Sequence, residues 1–334
     1  MTHVKTDPRS LAQPLDFKND QRLSRETRSF LIGFNSSGGP PLETLTPIQA
    51  REVLAGAQAS VQVDLSGIEE SEKNIVAEGY PLKLNIVRPE AAKGNLPAFI
   101  FIHGGGWVLG DYPTHKRMVR DLVVLSGCAG VFVNYTPAPD KQYPHQINEI
   151  YAATQWVAEN GHEIQVDGSK LAIVGNSAGG DMAAAICLMA KANAGSDIKL
   201  QILFWPVTDA DFETNSYQAF GKDRFLTDSL MQWMFEQYCP DPKARKEIYL
   251  APLQASLEQL KGLPPALIQV AENDILRDEG EAYGRKLDEA GVPVTLVRYN
   301  GMIHDFGLLN ALAELPATRS LFVQAAAELK KYLF

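Results

Sequence analysis

The sequence contains little cysteine. Among its 334 residues only Cys128, Cys187 and Cys239 carry thiols, and no two of them have the Cys-x-x-Cys spacing of a redox or zinc motif. So few cysteines exclude a disulfide-rich scaffold, and no group of histidine, cysteine and aspartate has the spacing of metal ligands. We therefore expect the thiols to pack as small apolar groups in a reducing compartment, the cytoplasm. We also expect no bound metal.

Long apolar runs and an excess of positive charge are also missing. No stretch approaches the roughly 18 apolar residues that a membrane span needs, and the first residues lack the apolar segment of a secretion signal. Lysine and arginine number 31 against 40 aspartates and glutamates, a net charge of −9. Such a chain does not attract phosphates, so we expect neither nucleic acid nor an anionic membrane as partner.

What the sequence does contain is a globular composition and an alternation of strands and helices. Hydrophobic residues make up 45% of the chain and charged residues 21%, which predicts a packed core. Short apolar runs alternate with amphipathic stretches and predict strands at 98–102, 130–135, 200–205, 266–271 and 294–299, with helices at 114–125, 146–159, 278–290 and 317–333. This order indicates an α/β fold with a mostly parallel, doubly wound sheet.

The remaining segments predict additions to that sheet. Helices are expected at 20–32 and 47–59, and strands at 61–65, 73–77 and 82–88, the last alternating like an edge strand in an antiparallel opening of the sheet. Between 209 and 252 the alternation gives way to an aromatic-rich helical stretch. We interpret 1–60 as N-terminal cap helices, 61–208 and 253–334 as the two parts of a catalytic core, and 209–252 as a cap insertion.

One serine lies at a sharp corner between a predicted strand and a predicted helix. Gly175-Asn-Ser-Ala-Gly179 has the Gly-x-Ser-x-Gly pattern, in which small residues relieve crowding around an exposed nucleophile. The pentapeptide alone also occurs by chance in glycine-rich loops. Its strand-turn-helix context favours Ser177 as a nucleophile.

A serine hydroxyl needs a base, and the base needs a carboxylate to orient it. His304 follows a predicted strand and Asp274 follows its neighbour, so both lie at the edge where α/β sheets bind ligands. Asp278 is better placed to begin a helix, and Glu272 lies too close to the strand end. The order Ser177, Asp274, His304 agrees with the order in α/β-hydrolases. Three other histidines are expected at the solvated surface: His115, His145 and His162.

Backbone amides that bind an oxyanion are expected after the strand at 98–102. His103-Gly-Gly-Gly106 offers N–H groups without side chains, and we assign Gly104, Gly105 and Ala178 as donors. A triple glycine also occurs in phosphate-binding loops, but Gly-x-Gly-x-x-Gly and Gly-Lys-Ser/Thr are absent from this sequence. We expect His103 to hold the loop.

These motifs resemble the hormone-sensitive lipase family of α/β-hydrolases. The resemblance covers His103-Gly-Gly-Gly-Trp107, Gly175-Asn-Ser-Ala-Gly-Gly180, Asp274-Ile-Leu-Arg-Asp-Glu-Gly280 and Gly301-Met-Ile-His-Asp-Phe306. It implies an α/β-hydrolase core with a helical cap that hydrolyses short-acyl carboxylic esters without a cofactor. The implied partner is a small-molecule ester, and members of the family often form homodimers.

Two positions depart from the commonest family pattern. Asn176 replaces an aspartate before the nucleophile, so we expect altered local pairing and an altered pH response. Thr136 replaces an arginine, which puts any ion pair at that place in doubt. Four apolar residues beside the motifs are expected to wall the substrate pocket: Trp107, Trp205, Met302 and Ile303.

Two other functions fit parts of this pattern. The same machinery permits cleavage of amides or formamides if the leaving amine is protonated efficiently. A ligand receptor on the same fold, like the plant gibberellin receptors, is the other alternative. Those receptors resemble the enzymes but have lost the catalytic histidine, whereas His304 is present here, so the sequence favours a serine carboxylesterase.

Overall fold

A computed structural model describes residues 16–334. In that range the strands are β1 Ile68–Ala77, β2 Tyr80–Pro89, β3 Leu96–Ile102, β4 Ala129–Asn134, β5 Val166–Asn176, β6 Ile198–Phe204, β7 Ala266–Asn273 and β8 Val294–Ile303. The α-helices are α1 Arg25–Ser36, α2 Pro47–Ala59, α3 Tyr112–Ser126, α4 His145–Asn160, α5 Ala178–Ala192, α6 Asn215–Phe220, α7 Asp228–Tyr238, α8 Leu257–Leu260, α9 Arg277–Glu289 and α10 Pro316–Leu333.

The strands form one mixed sheet in the order β1-β2-β4-β3-β5-β6-β7-β8. Strand β2 pairs antiparallel with β1 and with β4, while β3 to β8 run parallel. The predicted α/β architecture and the antiparallel opening are both confirmed. Parallel strands end at the same edge of a sheet, so the loops that follow β3, β5, β7 and β8 meet there.

The centre of the sheet is apolar on both faces. Phe99 and Ile100 of β3 are at most 1% exposed and belong to opposite core clusters, because successive strand residues point to opposite faces. Helix α5 packs on one of these faces through fully buried alanines. Their small side chains allow the helix that follows the serine to approach the strand closely.

Two predictions for strands in the N-terminal half were wrong. Residues 61–65 contain no strand, because Asp64 accepts hydrogen bonds from the backbone and hydroxyl of Ser66 and forms a turn. Strand β2 is not at the edge, since β1 covers it on one side. Glutamates of β1 supply the polar surface of that edge.

Several predicted boundaries also moved, and β1 begins at Ile68 rather than at residue 73. Helix α1 begins at Arg25 rather than at residue 20, because the Ser24 side chain accepts from the Thr27 amide and caps the helix there. Strand β8 continues to Ile303 rather than ending at residue 299, through an irregularity in its pairing with β7. The strand therefore reaches the residue directly before His304.

Four helices, α1, α2, α6 and α7, form what we call the helical cap. The cap has an N-terminal part with α1 and α2 and a later part with α6 and α7. The Asp20 carboxylate joins the two parts, because it accepts hydrogen bonds from Arg22 and from the buried guanidinium of Arg224. The rings of Phe34 and Phe225 pack at 5.3 Å beside this ion pair. Within residues 16–334, no helix is long and apolar enough to cross a membrane.

Loss of the Arg224 guanidinium is expected to loosen the cap. Arg224→Met leaves the buried Asp20 carboxylate with the half-exposed Arg22 alone, and we expect the free energy of unfolding to fall by about 3 kcal/mol. The measurement is urea denaturation near neutral pH. Lys199→Met is the matched control, because its pair with Asp197 is exposed and is worth at most about 1 kcal/mol. Equal losses in the two variants would contradict the prediction.

From the pairing of Asp20 with Arg22 and Arg224 we predict how the free energy of unfolding changes as the pH falls. Burial alone would raise the pKa of Asp20, but hydrogen bonds from Arg22 and Arg224 lower it from 3.8 to about 2. Its contribution is therefore complete above pH 3.8 and is lost as the pH falls through about 2. The difference in stability between the parent and Arg224→Met should shrink over that interval.

Candidate active site

Ser177 lies at a strained turn between β5 and α5. Its backbone has φ 55° and ψ −124°, a region that non-glycine residues seldom occupy. The neighbouring glycines permit this turn: a Cβ at Gly175 would lie 2.1 Å from the Gly179 carbonyl oxygen, and one at Gly179 would lie 2.1 Å from that of Ile102. The turn therefore requires glycine at both positions.

The structure brings together the three residues that the sequence nominated for acyl transfer. His304 Nε2 lies 3.0 Å from Ser177 Oγ, and His304 Nδ1 lies 2.8 Å from Asp274 Oδ2. All three side chains are buried, and Ser177 is 3% exposed. Asp274 follows β7 directly and His304 follows β8 directly, so adjacent strand ends position them. The arrangement can move a proton from the serine hydroxyl to an imidazole that a carboxylate orients.

Two carboxylates act on the His304 imidazole. Burial by itself lowers the pKa of His304, but the charges of Asp274 and Asp305 outweigh burial and raise it above 6.5. Asp305 Oδ2 lies 3.9 Å from Nε2, on the side of the ring that faces Ser177. Sequence patterns predicted no role for Asp305, although it lies inside the motif that ends at Phe306.

One of the three predicted oxyanion donors, Gly104, has an acceptor within the protein. The Gly104 amide donates to Asn176 Oδ1 at 3.0 Å, so this N–H group already has an acceptor. In the described part of the chain the amides of Gly105 and Gly106 have no such acceptor, and Ala178 begins α5, where a helix leaves its amides unpaired. The amides of Gly105, Gly106 and Ala178 are therefore the candidate donors. The sequence offered no signal for this choice, because three consecutive glycines look alike.

The histidines near the glycine loop are interior residues. His103 stacks on Tyr135 at 4.2 Å, and its Nδ1 lies 2.8 Å from the Gly104 carbonyl oxygen, which agrees with a role in holding the loop. The prediction that His115 lies at the surface was wrong. It is fully buried beside His103, and burial lowers the pKa of both rings, that of His103 to about 4.

The four predicted pocket residues are all buried around the site. Trp107 stacks on Tyr238 of the cap at 4.4 Å, and the Trp205 indole N–H donates to Asp305 Oδ1 at 2.8 Å. Met302 is 4% exposed and contacts α1 through Thr27, while Ile303 is fully buried. Contact of these side chains with a substrate stays a prediction.

The two sequence departures acquire partners in the structure. Asn176 connects the glycine loop to the segment that carries His304, since its Nδ2 donates to Asp305 Oδ1 at 3.4 Å. Thr136 donates from its amide and its hydroxyl to the Glu149 carboxylate. Within residues 16–334, no group of three or more histidine, cysteine, aspartate or glutamate residues has the arrangement of a metal site.

Comparison with known proteins agrees with this geometry. The α/β-hydrolase fold family matches residues 99–308. The chain belongs to this family. It is 34% identical over 256 residues to carboxylesterase NlhH of Mycobacterium tuberculosis, covering 75% of this chain and 79% of that protein. It is 32% identical to an ethyl acetate hydrolase of Pseudomonas putida, covering 71% and 75% of the two chains.

The similarity to one solved structure covers nearly the whole of this chain. A thermostable esterase from Pseudomonas putida ECU1011 is 58% identical, superposes with a TM-score of 0.93, and covers 94% of this chain and 99% of its own. The resemblance to the hormone-sensitive lipase family is thereby confirmed, and the chain is a carboxylic ester hydrolase.

The glycines around the turn give a test of its packing. In Gly179→Ala the new Cβ meets the rigid backbone of Ile102 and His103, so we expect the free energy of unfolding to fall by about 3 kcal/mol. The control is Gly56→Ala in α2, where a Cβ meets nothing within 4 Å and alanine should stabilise the helix by about 1 kcal/mol. Urea denaturation measures both. A stable Gly179→Ala variant would contradict the close packing described above.

Proposed function

We propose that this α/β-hydrolase is a serine carboxylesterase of short-acyl esters that works through an acyl-enzyme intermediate. Ser177 is the nucleophile, His304 the general base and acid, and Asp274 the residue that orients the imidazole. The supporting observation is the unbroken chain of contacts from Ser177 Oγ through His304 to Asp274, at 3.0 and 2.8 Å. A buried site strengthens each of these interactions, because little water screens them.

The first half of the reaction transfers the acyl group to the enzyme. Ser177 Oγ attacks the ester carbonyl carbon while His304 Nε2 accepts the hydroxyl proton, and the carbonyl π electrons move to oxygen. When the tetrahedral intermediate collapses, the bond to the alkoxide breaks and His304 returns the proton to that leaving group. The charge of Asp274 stabilises the imidazolium in between.

Water completes the turnover by the same route. A water molecule gives a proton to His304 Nε2 as its oxygen attacks the acyl carbon. Collapse of this second intermediate breaks the bond to Ser177 Oγ, which takes the proton back from His304. The carboxylic acid leaves and the serine is regenerated.

Three backbone amides are proposed to bind the oxyanion in both halves: those of Gly105, Gly106 and Ala178. Gly105 and Gly106 have φ of 99° and 59°, a conformation that favours glycine and turns successive peptide groups within the loop. The Ala178 amide begins α5, so the partial positive charge of the helix N-terminus adds to it. Removal of one donor in such a site typically costs about 10²- to 10³-fold in kcat.

Support for a small ester as substrate comes from the enclosure of the serine. The cap contacts the glycine loop, and Met234 lies directly against Gly106, where an added Cβ would be 1.9 Å from its Sδ. Long acyl chains would have to displace these cap side chains. One relative, the Pseudomonas putida enzyme, is named for the hydrolysis of ethyl acetate, which has a two-carbon acyl group.

The other functions receive less support. The named relatives are ester hydrolases, and no observation favours amides over esters. A receptor without catalysis does not explain a complete contact chain through His304. The buried, unpaired thiols of Cys128, Cys187 and Cys239 fit the cytoplasm that we infer as the location. The homodimer implied by the family resemblance stays a prediction.

Removal of the nucleophile is expected to abolish catalysis without unfolding the protein. Ser177→Ala should lower kcat by about 10⁶ on an aryl acetate, as occurs when a catalytic serine is removed. A fluorophosphonate probe should label the parent at this residue and leave the variant unlabelled. Near-ultraviolet circular dichroism checks the fold. Hydrolysis at the parent rate by a folded Ser177→Ala variant would contradict the proposal.

The substrate class is tested with a matched set of leaving groups and acyl chains. We expect kcat/KM on p-nitrophenyl esters to be highest for acetate to butyrate and to fall as the chain lengthens, because the cap encloses Ser177. The corresponding anilides should be hydrolysed far more slowly. Met234→Ala provides the comparison, since a shorter side chain beside Gly106 should shift the preference toward longer acyl groups. Equal rates on anilides and esters would favour an amidase instead.

A further inference from the structure

Asp305 is a second carboxylate beside His304, fixed by contacts from two other elements. Its Oδ1 accepts the indole N–H of Trp205 at 2.8 Å and the side-chain amide of Asn176 at 3.4 Å. These contacts leave Oδ2 facing His304 Nε2 at 3.9 Å. At that distance Asp305 acts through its charge, because the hydrogen-bonding position of Nε2 is taken by Ser177 at 3.0 Å.

The side-chain amide of Asn176 makes two hydrogen bonds, one as an acceptor and one as a donor. Oδ1 accepts from the Gly104 amide at 3.0 Å, while Nδ2 donates to Asp305. An amide is the side chain of this shape that offers one acceptor and one donor, whereas an ionised aspartate offers acceptors alone. Aspartate at position 176 would therefore place two carboxylates in contact inside a buried site.

We propose that Asn176 and Asp305 form a matched pair of positioning residues, in which Asp305 stabilises the His304 imidazolium and Asn176 ties that carboxylate to the glycine loop. The negative charge that the commonest family pattern carries before the nucleophile is thus placed after the histidine in this chain. The proposal rests on the proposed function, because it assigns the pair to the serine and histidine chemistry described above.

The charges around His304 fix the expected direction of the pH response. Asp274 faces Nδ1 and Asp305 faces Nε2, and beyond Asp274 lie Tyr217 of α6 and Glu279 of α9. Although burial lowers the pKa of His304, the two aspartates raise it above 6.5. Catalysis needs the neutral imidazole, so activity falls as the pH drops through this pKa. Removal of the Asp305 charge should lower the pKa and extend activity to more acidic pH.

The first experiment removes the charge and retains the shape. Asp305→Asn is compatible with the backbone, since asparagine tolerates the φ of 60° at this position. We expect the acid limb of the kcat/KM profile to move down by about one pH unit, the scale of one nearby opposite charge. Asp223→Asn is the matched control, because Asp223 has φ 59° but is exposed, and its profile should coincide with that of the parent.

The second experiment tests the pairing. In Asn176→Asp two buried carboxyl groups must share one proton, so we expect kcat/KM to fall about 100-fold as the pH rises and that proton is lost. Asn176→Asp combined with Asp305→Asn removes the contact between two carboxylates. The carboxylate introduced at position 176 would accept from the Gly104 amide and from the amide introduced at position 305, whose nitrogen then takes the place of Oδ1 and leaves the Trp205 N–H without that acceptor. This double variant should regain activity to within about tenfold of the parent and lose the alkaline decline.

The rate of Ser177 labelling by a fluorophosphonate, measured against pH, provides a readout that needs no ester. Parent protein that reacts with the probe but hydrolyses no ester would refute the proposed function while leaving this pair testable. An Asp305→Asn profile that coincides with the parent profile, or equal profiles for Asn176→Asp and the double variant, would overturn the proposal. If Asp305→Asn does not fold, Asp305→Gly removes the same charge at a φ that suits glycine and should show the same shift.

Discussion

The contact of the glycines around Ser177 with neighbouring backbone is the constraint on which the site depends. Ser177 alone separates strand β5 from helix α5. Gly175 and Gly179 lie so close to carbonyl oxygens that a Cβ at either position would collide with one of them. The turn presents the serine hydroxyl at the sheet edge where β7 and β8 also end. Side chains that are distant in the chain can then meet at hydrogen-bonding distance.

Burial makes the electrostatics of this site decisive. A neutral imidazole is favoured by exclusion of water, and an imidazolium is favoured by the two aspartates that flank the ring. The balance between them sets the pH range over which His304 is neutral. Side chains of the cap lie close by, since Tyr238 stacks on Trp107 and Met234 lies against Gly106.

Asn176 links the glycine loop to the segment that carries His304. Through one amide it holds the glycine loop on one side and the Asp305 carboxylate on the other. The position of the glycine loop and the charge beside the imidazole therefore depend on the same side chain.

The sequence by itself determined the α/β class and the antiparallel opening, and it predicted that Ser177, Asp274 and His304 lie together, because strand periodicity and motif order are local properties of the chain. It could not determine that β2 also pairs with β4, since that contact joins distant residues, whereas β1 and β2 form a local hairpin through Glu78 and Gly79. Nor could it show that the Gly104 amide donates to Asn176 or that Asp305 lies beside His304. Those contacts depend on which atoms meet once the strand ends lie side by side, and only the tertiary structure decides that.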